Sequence, residues 1–241
     1  MTNDSSTRHA DFEALRLKTA EVYTLLLQMH GEPDFTPRRE ALHELISTML
    51  SHRTTEANEA KAFAQMWQRF GSWEAIRDAP LDELIQAIAP SNFAGAKAPN
   101  IKRVLDFIIR ERGSANIDFL RDLPPDKALQ WLTSLPGVGV KTATLVLLFC
   151  FHQPVLPVDT HLHRVSIRLG LIGEKTSAEA AHDILLSLLP HDARVLFNFH
   201  ITMLRHGQKI CVWQKPRCAL CDLRPICDWY QAHRVLDNAT L

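Results

Sequence analysis

Three groups of residues could do chemistry. The first is Leu135-Pro136-Gly137-Val138-Gly139-Val140-Lys141-Thr142-Ala143, where two glycines two positions apart link two stretches of helical periodicity. Glycines in so short a link permit left-handed backbone. Free amides at the start of the next helix, with the dipole behind them, make a site for a phosphate oxygen. A Gly-x-Gly pair alone is equally the mark of a plain helical corner. Lys141 shifts the balance, because a cation in a first turn opposes the dipole, and the same field favours the free amine, a nucleophile for Schiff-base chemistry. The second group is Val158-Asp159-Thr160-His161. Asp159 stands where a helix N-cap belongs, yet a carboxylate 18 residues beyond Lys141 could also take a proton from an amine or steady positive charge as a leaving group departs. The third is Cys211-x6-Cys218-x2-Cys221-x5-Cys227, four thiols without a histidine among them. Structural zinc pairs two short knuckles, and only Cys218 and Cys221 have that spacing. Wrapping one segment around a cubane suits the pattern better, which favours an iron–sulfur cluster.

The elements that must position these groups read as helices almost throughout. Phe12, Leu15, Val22, Leu25, Leu26 and Met29 form one stripe that closes at His30-Gly31, and residues 1 to 10 read as a loose polar tail. Thr36-Pro37 reads as an N-cap with proline at the first helical position, opening a helix through Leu42, Leu45, Ile46, Met49 and Leu50. Thr55 or its neighbour Thr54 can cap a third helix that ends at Gly71, Ser72 and Pro80 open two short ones, and another runs from about Gly95 to Arg112. The stretch Leu145 to Phe151 is apolar all round, as in the buried central helix of a bundle. Further helices span Thr160 to Leu169, Ser177 to Leu189 and Arg194 to Arg205. With no sustained period-two alternation, the fold class is all-α.

Composition bounds the possibilities. The chain has 241 residues with 27 basic and 27 acidic side chains, so the net charge is zero, which taken alone argues against nucleic acid. The longest apolar run is seven residues, far short of the roughly 20 that span a bilayer. No apolar segment follows a basic cluster at the start, so no secretory signal is expected. Five cysteines, an odd count, fit a reducing cytoplasmic setting and a metal role better than a disulfide framework; Cys150, in the apolar helix, reads as a core residue. The zero is a sum over separated stretches. Residues 1–34 carry three basic and six acidic side chains and 72–90 carry one and four, whereas 91–112 carry five and two and 201–234 carry six and two.

Taken together these residues resemble the endonuclease III family of helix-hairpin-helix DNA glycosylases. LPGVGVKTA resembles the family's hairpin, VDTHLHR its aspartate segment and C-x6-C-x2-C-x5-C its 4Fe–4S loop. The resemblance implies a two-domain all-α fold: a six-helix barrel domain over 35–153, beside an iron–sulfur domain built from 11–34 and 154–241, with DNA gripped in the cleft between them. It implies double-stranded DNA containing damaged bases or abasic sites as partner, a monomer, no membrane, and a cytoplasmic or nucleoid location. It makes Lys141 the amine that attacks C1′, Asp159 its acid–base and electrostatic partner, and Gly137, Val138 and Gly139 the hairpin on the DNA backbone. Cys211, Cys218, Cys221 and Cys227 become the cluster ligands. A glycosylase activating only water needs the aspartate but no lysine, so Lys141 implies a bifunctional glycosylase and lyase.

Two loops depart from the family pattern. Where the family usually has a segment like LSAQATD, this chain reads Leu50-Ser51-His52-Arg53-Thr54-Thr55-Glu56, so Arg53, beside His52, replaces the wedge glutamine and offers donors only. Where the family has a segment like GLYNSKA, it reads Asn92-Phe93-Ala94-Gly95-Ala96-Lys97-Ala98, and Phe93 could wedge by stacking. The lesion range could therefore be shifted, with oxidised pyrimidines the first expectation. Ser47 stands where adenine-specific relatives carry a glutamate, which disfavours that relative. Among twelve histidines, His161 adjoins Asp159 and is a candidate DNA contact, while His163 reads as structural; Trp213 and Trp229 read as packing. The competing reading is a DNA-binding iron–sulfur protein with little catalysis, for which the altered loops speak.

Overall fold

A computed structural model describes residues 3–37 and 39–237. The described residues form helices and turns, with no strand. The chain divides into two compact units, one of residues 37–153 and one of 1–36 with 154–241.

In the unit 37–153 the helices are α2 (Ala41–Ser51), α3 (Glu56–Phe70), α4 (Trp73–Asp78), α5 (Leu81–Ala87), α6 (Ala94–Arg112), α7 (Pro125–Thr133) and α8 (Val140–Phe151). The expected six-helix barrel thus contains seven α-helices among the described residues, with short 3-10 turns at Ala89–Ser91 and Asp118–Asp122. The stretch after α3 is broken twice, where Gly71 takes φ +75° and where Ala79-Pro80 stops α4. Start signals act as the sequence indicates: Thr55 accepts from the Asn58 amide at 3.3 Å and Ser72 from that of Ala75 at 3.2 Å. The second helix departs from expectation, beginning at Ala41 rather than at Thr36-Pro37. The Thr36 hydroxyl is bonded instead to the Asp34 carboxylate, and the helix is held only from Ala41 and Leu42, the first side chains with a core to enter. α8 packs on α2 and α7 and is buried from Thr142 through Leu148. That burial, with Leu45, Ile46, Leu50, Ile101, Leu105 and Ile108 fully enclosed, fixes where the first turn of α8 can stand.

The other unit holds α1 (Asn3–His30), α9 (Thr160–Leu169), α10 (Ala178–Leu188), α11 (Ala193–Lys209) and α12 (Asp228–Asp237). α11 packs against both α1 and α9, and Leu26, Leu162 and Phe199 lie fully inside. The segment expected as a tail over residues 1–10 is helical from Asn3, because each residue added to a formed helix gains a hydrogen bond for one fixed residue; Met1 and Thr2 lie outside the described residues.

Candidate DNA-repair site and cysteine loop

The hairpin between α7 and α8 is a tight turn in which the Val138 amide donates to the Leu135 carbonyl at 3.1 Å. Pro136 and Gly137 occupy its central places, and Gly137 takes φ +80°. The two glycines are not equivalent. A Cβ on Gly137 would lie 2.8 Å from the Asn100 amide nitrogen, so both the turn and the neighbouring helix demand glycine. Gly139 has an ordinary φ of −97° and nothing within 4 Å of a Cβ. The fold itself places no demand for glycine there. The expectation of positive φ at both positions therefore holds at Gly137 alone, because the chain has already reversed before Gly139. Val138 is also not available through its side chain, which is buried, and its amide is spent on the turn. No side chain caps α8, so its first-turn amides after the exposed Gly139 stay uncapped, the arrangement that suits an oxyanion.

Lys141 stands in that first turn, half-buried. Two groups of the same unit feel its charge. His52, whose Nε2 lies 3.2 Å from the Thr142 hydroxyl, is held below its ordinary pKa by burial and by the Lys141 and Lys97 cations. Glu44 on α2 is held above its own by burial, opposed by Arg39, by a Thr48 hydrogen bond and by Lys141. Ser47, where a glutamate would mark an adenine-specific relative, bridges Arg39 to the buried carboxylate of Glu59.

The two departing loops meet. Arg53 lies with its guanidinium carbon 5.7 Å from the centre of the Phe93 ring, which is 60% exposed, and the Asn92 side chain donates to the Arg53 carbonyl at 3.1 Å. Sequence reasoning did not find Lys97, which ties both loops from beneath; its place in the NFAGAKA segment was the available signal. Nor are all the basic residues of 91–112 offered outward: the Lys97 and Lys102 ammoniums are both bonded to backbone carbonyls of their own unit.

In the other unit, Asp159 is the N-cap of α9, its Oδ1 accepting from the His161 and Leu162 amides at 2.8 and 2.7 Å. One carboxylate oxygen therefore orients the group, and Oδ2 has no hydrogen bond among the described residues. His161 packs over Gly207, where an added Cβ would fall 2.8 Å from its own, and its Nδ1 lies 3.3 Å from Arg164. His163 binds the Thr176 carbonyl at 2.8 Å.

Cys211, Cys218, Cys221 and Cys227 line one small apolar pocket. Arg168 donates to the Cys211 sulfur at 3.2 Å and to the Val212 and Trp213 carbonyls at 2.8 Å, while Arg164 donates to the Cys211 and Gly207 carbonyls. These two arginines are thus bracing the cysteine loop. Burial pushes the Cys221 thiol up to about 11 and raises those of Cys218 and Cys227. Such thiols become thiolates only with a cationic group among them. Among the described residues, no three His, Cys, Asp or Glu side chains converge as a single-ion cage. The four thiols share that one apolar pocket.

The fold and these features define a class, and comparison with known proteins agrees. Residues 46–191 match the HhH-GPD superfamily base excision DNA repair proteins. The chain belongs to that family. It is 34% identical over 187 residues to endonuclease III of Thermotoga maritima, covering 78% of this chain and 82% of that one. It is 31% identical over 170 residues to the DNA glycosylase/AP lyase ROS1 of Arabidopsis thaliana, covering 64% of this chain but only 12% of that much longer protein. Among solved structures, a non-covalent endonuclease III–DNA complex superposes with a TM-score of 0.78 at 25% identity, over 91% of this chain and 98% of that one.

Proposed function

We propose that this protein is a base-excision-repair DNA glycosylase with AP lyase activity, acting on duplex DNA that carries damaged bases or abasic sites, oxidised pyrimidines first among them. One observation carries the reading: a lysine in the uncapped first turn of α8, two residues after a glycine that the fold does not require. The first-turn amides take a backbone phosphate, and Arg53 and Phe93 enter the stack from which the damaged nucleotide leaves. The Lys141 Nζ lone pair attacks C1′ and the bond from C1′ to the base breaks, its electron pair leaving with the base, which is then protonated. The amine's proton passes to the Asp159 carboxylate, which also steadies positive charge on the sugar. Opening of the sugar ring gives an imine on Lys141. Loss of a C2′ proton then expels the 3′ phosphate, cutting the strand by β-elimination. Cys211, Cys218, Cys221 and Cys227 would hold a 4Fe–4S cluster, which when bound supplies a rigid anchor for this loop. A cytoplasmic or nucleoid location and a monomeric state accord with this role.

Borohydride trapping tests it. Wild type incubated with abasic duplex and reduced should give a covalent protein–DNA adduct, and Lys141→Ala should give none. A wild type that binds the DNA to saturation and yields no adduct would sink the lyase assignment.

A further inference from the structure

Lys97 opens on no solvent of consequence, being 9% exposed. Its ammonium donates to the carbonyls of Leu50 at 2.6 Å and His52 at 2.8 Å, and to that of Ser91. The first two acceptors lie at the C-terminal end of α2, just before Arg53, and the third precedes the loop that carries Phe93. An apolar side chain would fill this space without the cost of desolvating a cation, and burial indeed lowers the Lys97 pKa to about 8. What a hydrocarbon could not do is join three carbonyls drawn from two segments 39 to 41 residues apart. The joined segments are also strained. Arg53, Asn92 and Phe93 all take positive φ, and Asn92, at φ 49° and ψ 148°, sits in a region that otherwise suits glycine. Such backbone persists only where its surroundings over-determine it.

We infer that Lys97 is a positioning residue whose ammonium clamps the Arg53 loop to the Phe93 loop, so that the two side chains enter the base stack as one preformed wedge. The inference rests on the proposed DNA-repair reading, since only a protein that enters a duplex needs such a wedge. Asn92 adds a second tie across the same seam. Without the clamp each loop must be ordered at the moment of insertion, and that cost falls on DNA distortion rather than on the chemistry at Lys141.

The test separates the two. A duplex holds a tetrahydrofuran in place of the abasic sugar, which cannot be cut, and 2-aminopurine opposite it, whose fluorescence rises on unstacking. Full-length wild type at saturation, checked by anisotropy, should raise the fluorescence. Lys97→Met should bind yet reduce the rise about tenfold, the scale of a lost charge-assisted hydrogen bond. Asn92→Gly, which keeps the backbone angle and removes only the cross-loop amide, should reduce it in part; it carries the same prediction should Lys97→Met fail to fold by circular dichroism. A wild-type rise in both variants, or no rise in bound wild type, would overturn the clamp. Because this duplex is not cut, a Lys97-dependent rise alongside failed borohydride trapping would keep the clamp and remove the lyase.

Discussion

Replacing each hairpin glycine by alanine should separate what the fold needs from what DNA needs. At Gly137 the alanine must adopt φ +80° and displace the Asn100 amide from 2.8 Å. The left-handed conformation costs about 1–2 kcal/mol for a residue with a Cβ, and Asn100 must also shift. At about 2–4 °C per kcal/mol for a chain of this size, Gly137→Ala should melt several degrees lower. Gly139 offers the opposite case, with an ordinary φ and open space around the added carbon. There alanine restricts the unfolded chain and should stabilise by about 0.4–1 kcal/mol. Its methyl nevertheless stands beside the uncapped amides, where a phosphate must come within hydrogen-bonding distance. Losing one such charge-assisted contact, worth about 1.5–3 kcal/mol, should weaken binding by roughly tenfold or more. Thermal melts and fluorescence anisotropy on an uncleavable abasic duplex measure the two quantities. The signature is Gly139→Ala more stable and more weakly bound than wild type. If it binds as wild type does, the amides of α8 do not hold the backbone and the reasoning fails.

Two further outcomes follow from the same geometry. Glu44 binds its proton more tightly folded than unfolded, so its contribution to stability is present below the ordinary value of 4.5 and declines as pH rises through the raised folded pKa. Glu44→Gln should therefore melt above wild type at pH 8 and match it below pH 4.5; an equal shift at both ends of the range would refute the burial argument. The purified protein should be yellow-brown with broad absorbance near ~400 nm, and Cys221→Ser should bleach it and loosen the Cys211–Cys227 loop to proteolysis. Zinc in a colourless protein would exclude the iron–sulfur assignment.

Helix starts and stops were legible because they depend on neighbours in sequence: Thr55, Ser72, Asp159 and Ser177 cap with residues two or three positions away, and Gly71, Gly113 and Gly170 stop helices by their own φ. The glycine hairpin, Lys141 behind it and the spacing of four cysteines were legible for the same reason. Sequence likewise determined that α8 is buried, since a helix apolar on every face has no other place. What it could not assign was the destination of each charge. Lys97 and Lys102 count toward the basic stretch 91–112, yet both, like Arg164 and Arg168, end on backbone carbonyls. Apart from Ser91, six residues from Lys97, those acceptors come from 23 to 47 residues away, and a long cation finds them only once the helices have packed. Nor could sequence distinguish Gly137 from Gly139, because identical side chains differ only in the turn that one makes and in the Asn100 beside it. Local periodicity and spacing determined the elements and the reactive residues; the tertiary structure decided which charges are spent inside and which glycine is left open for a ligand.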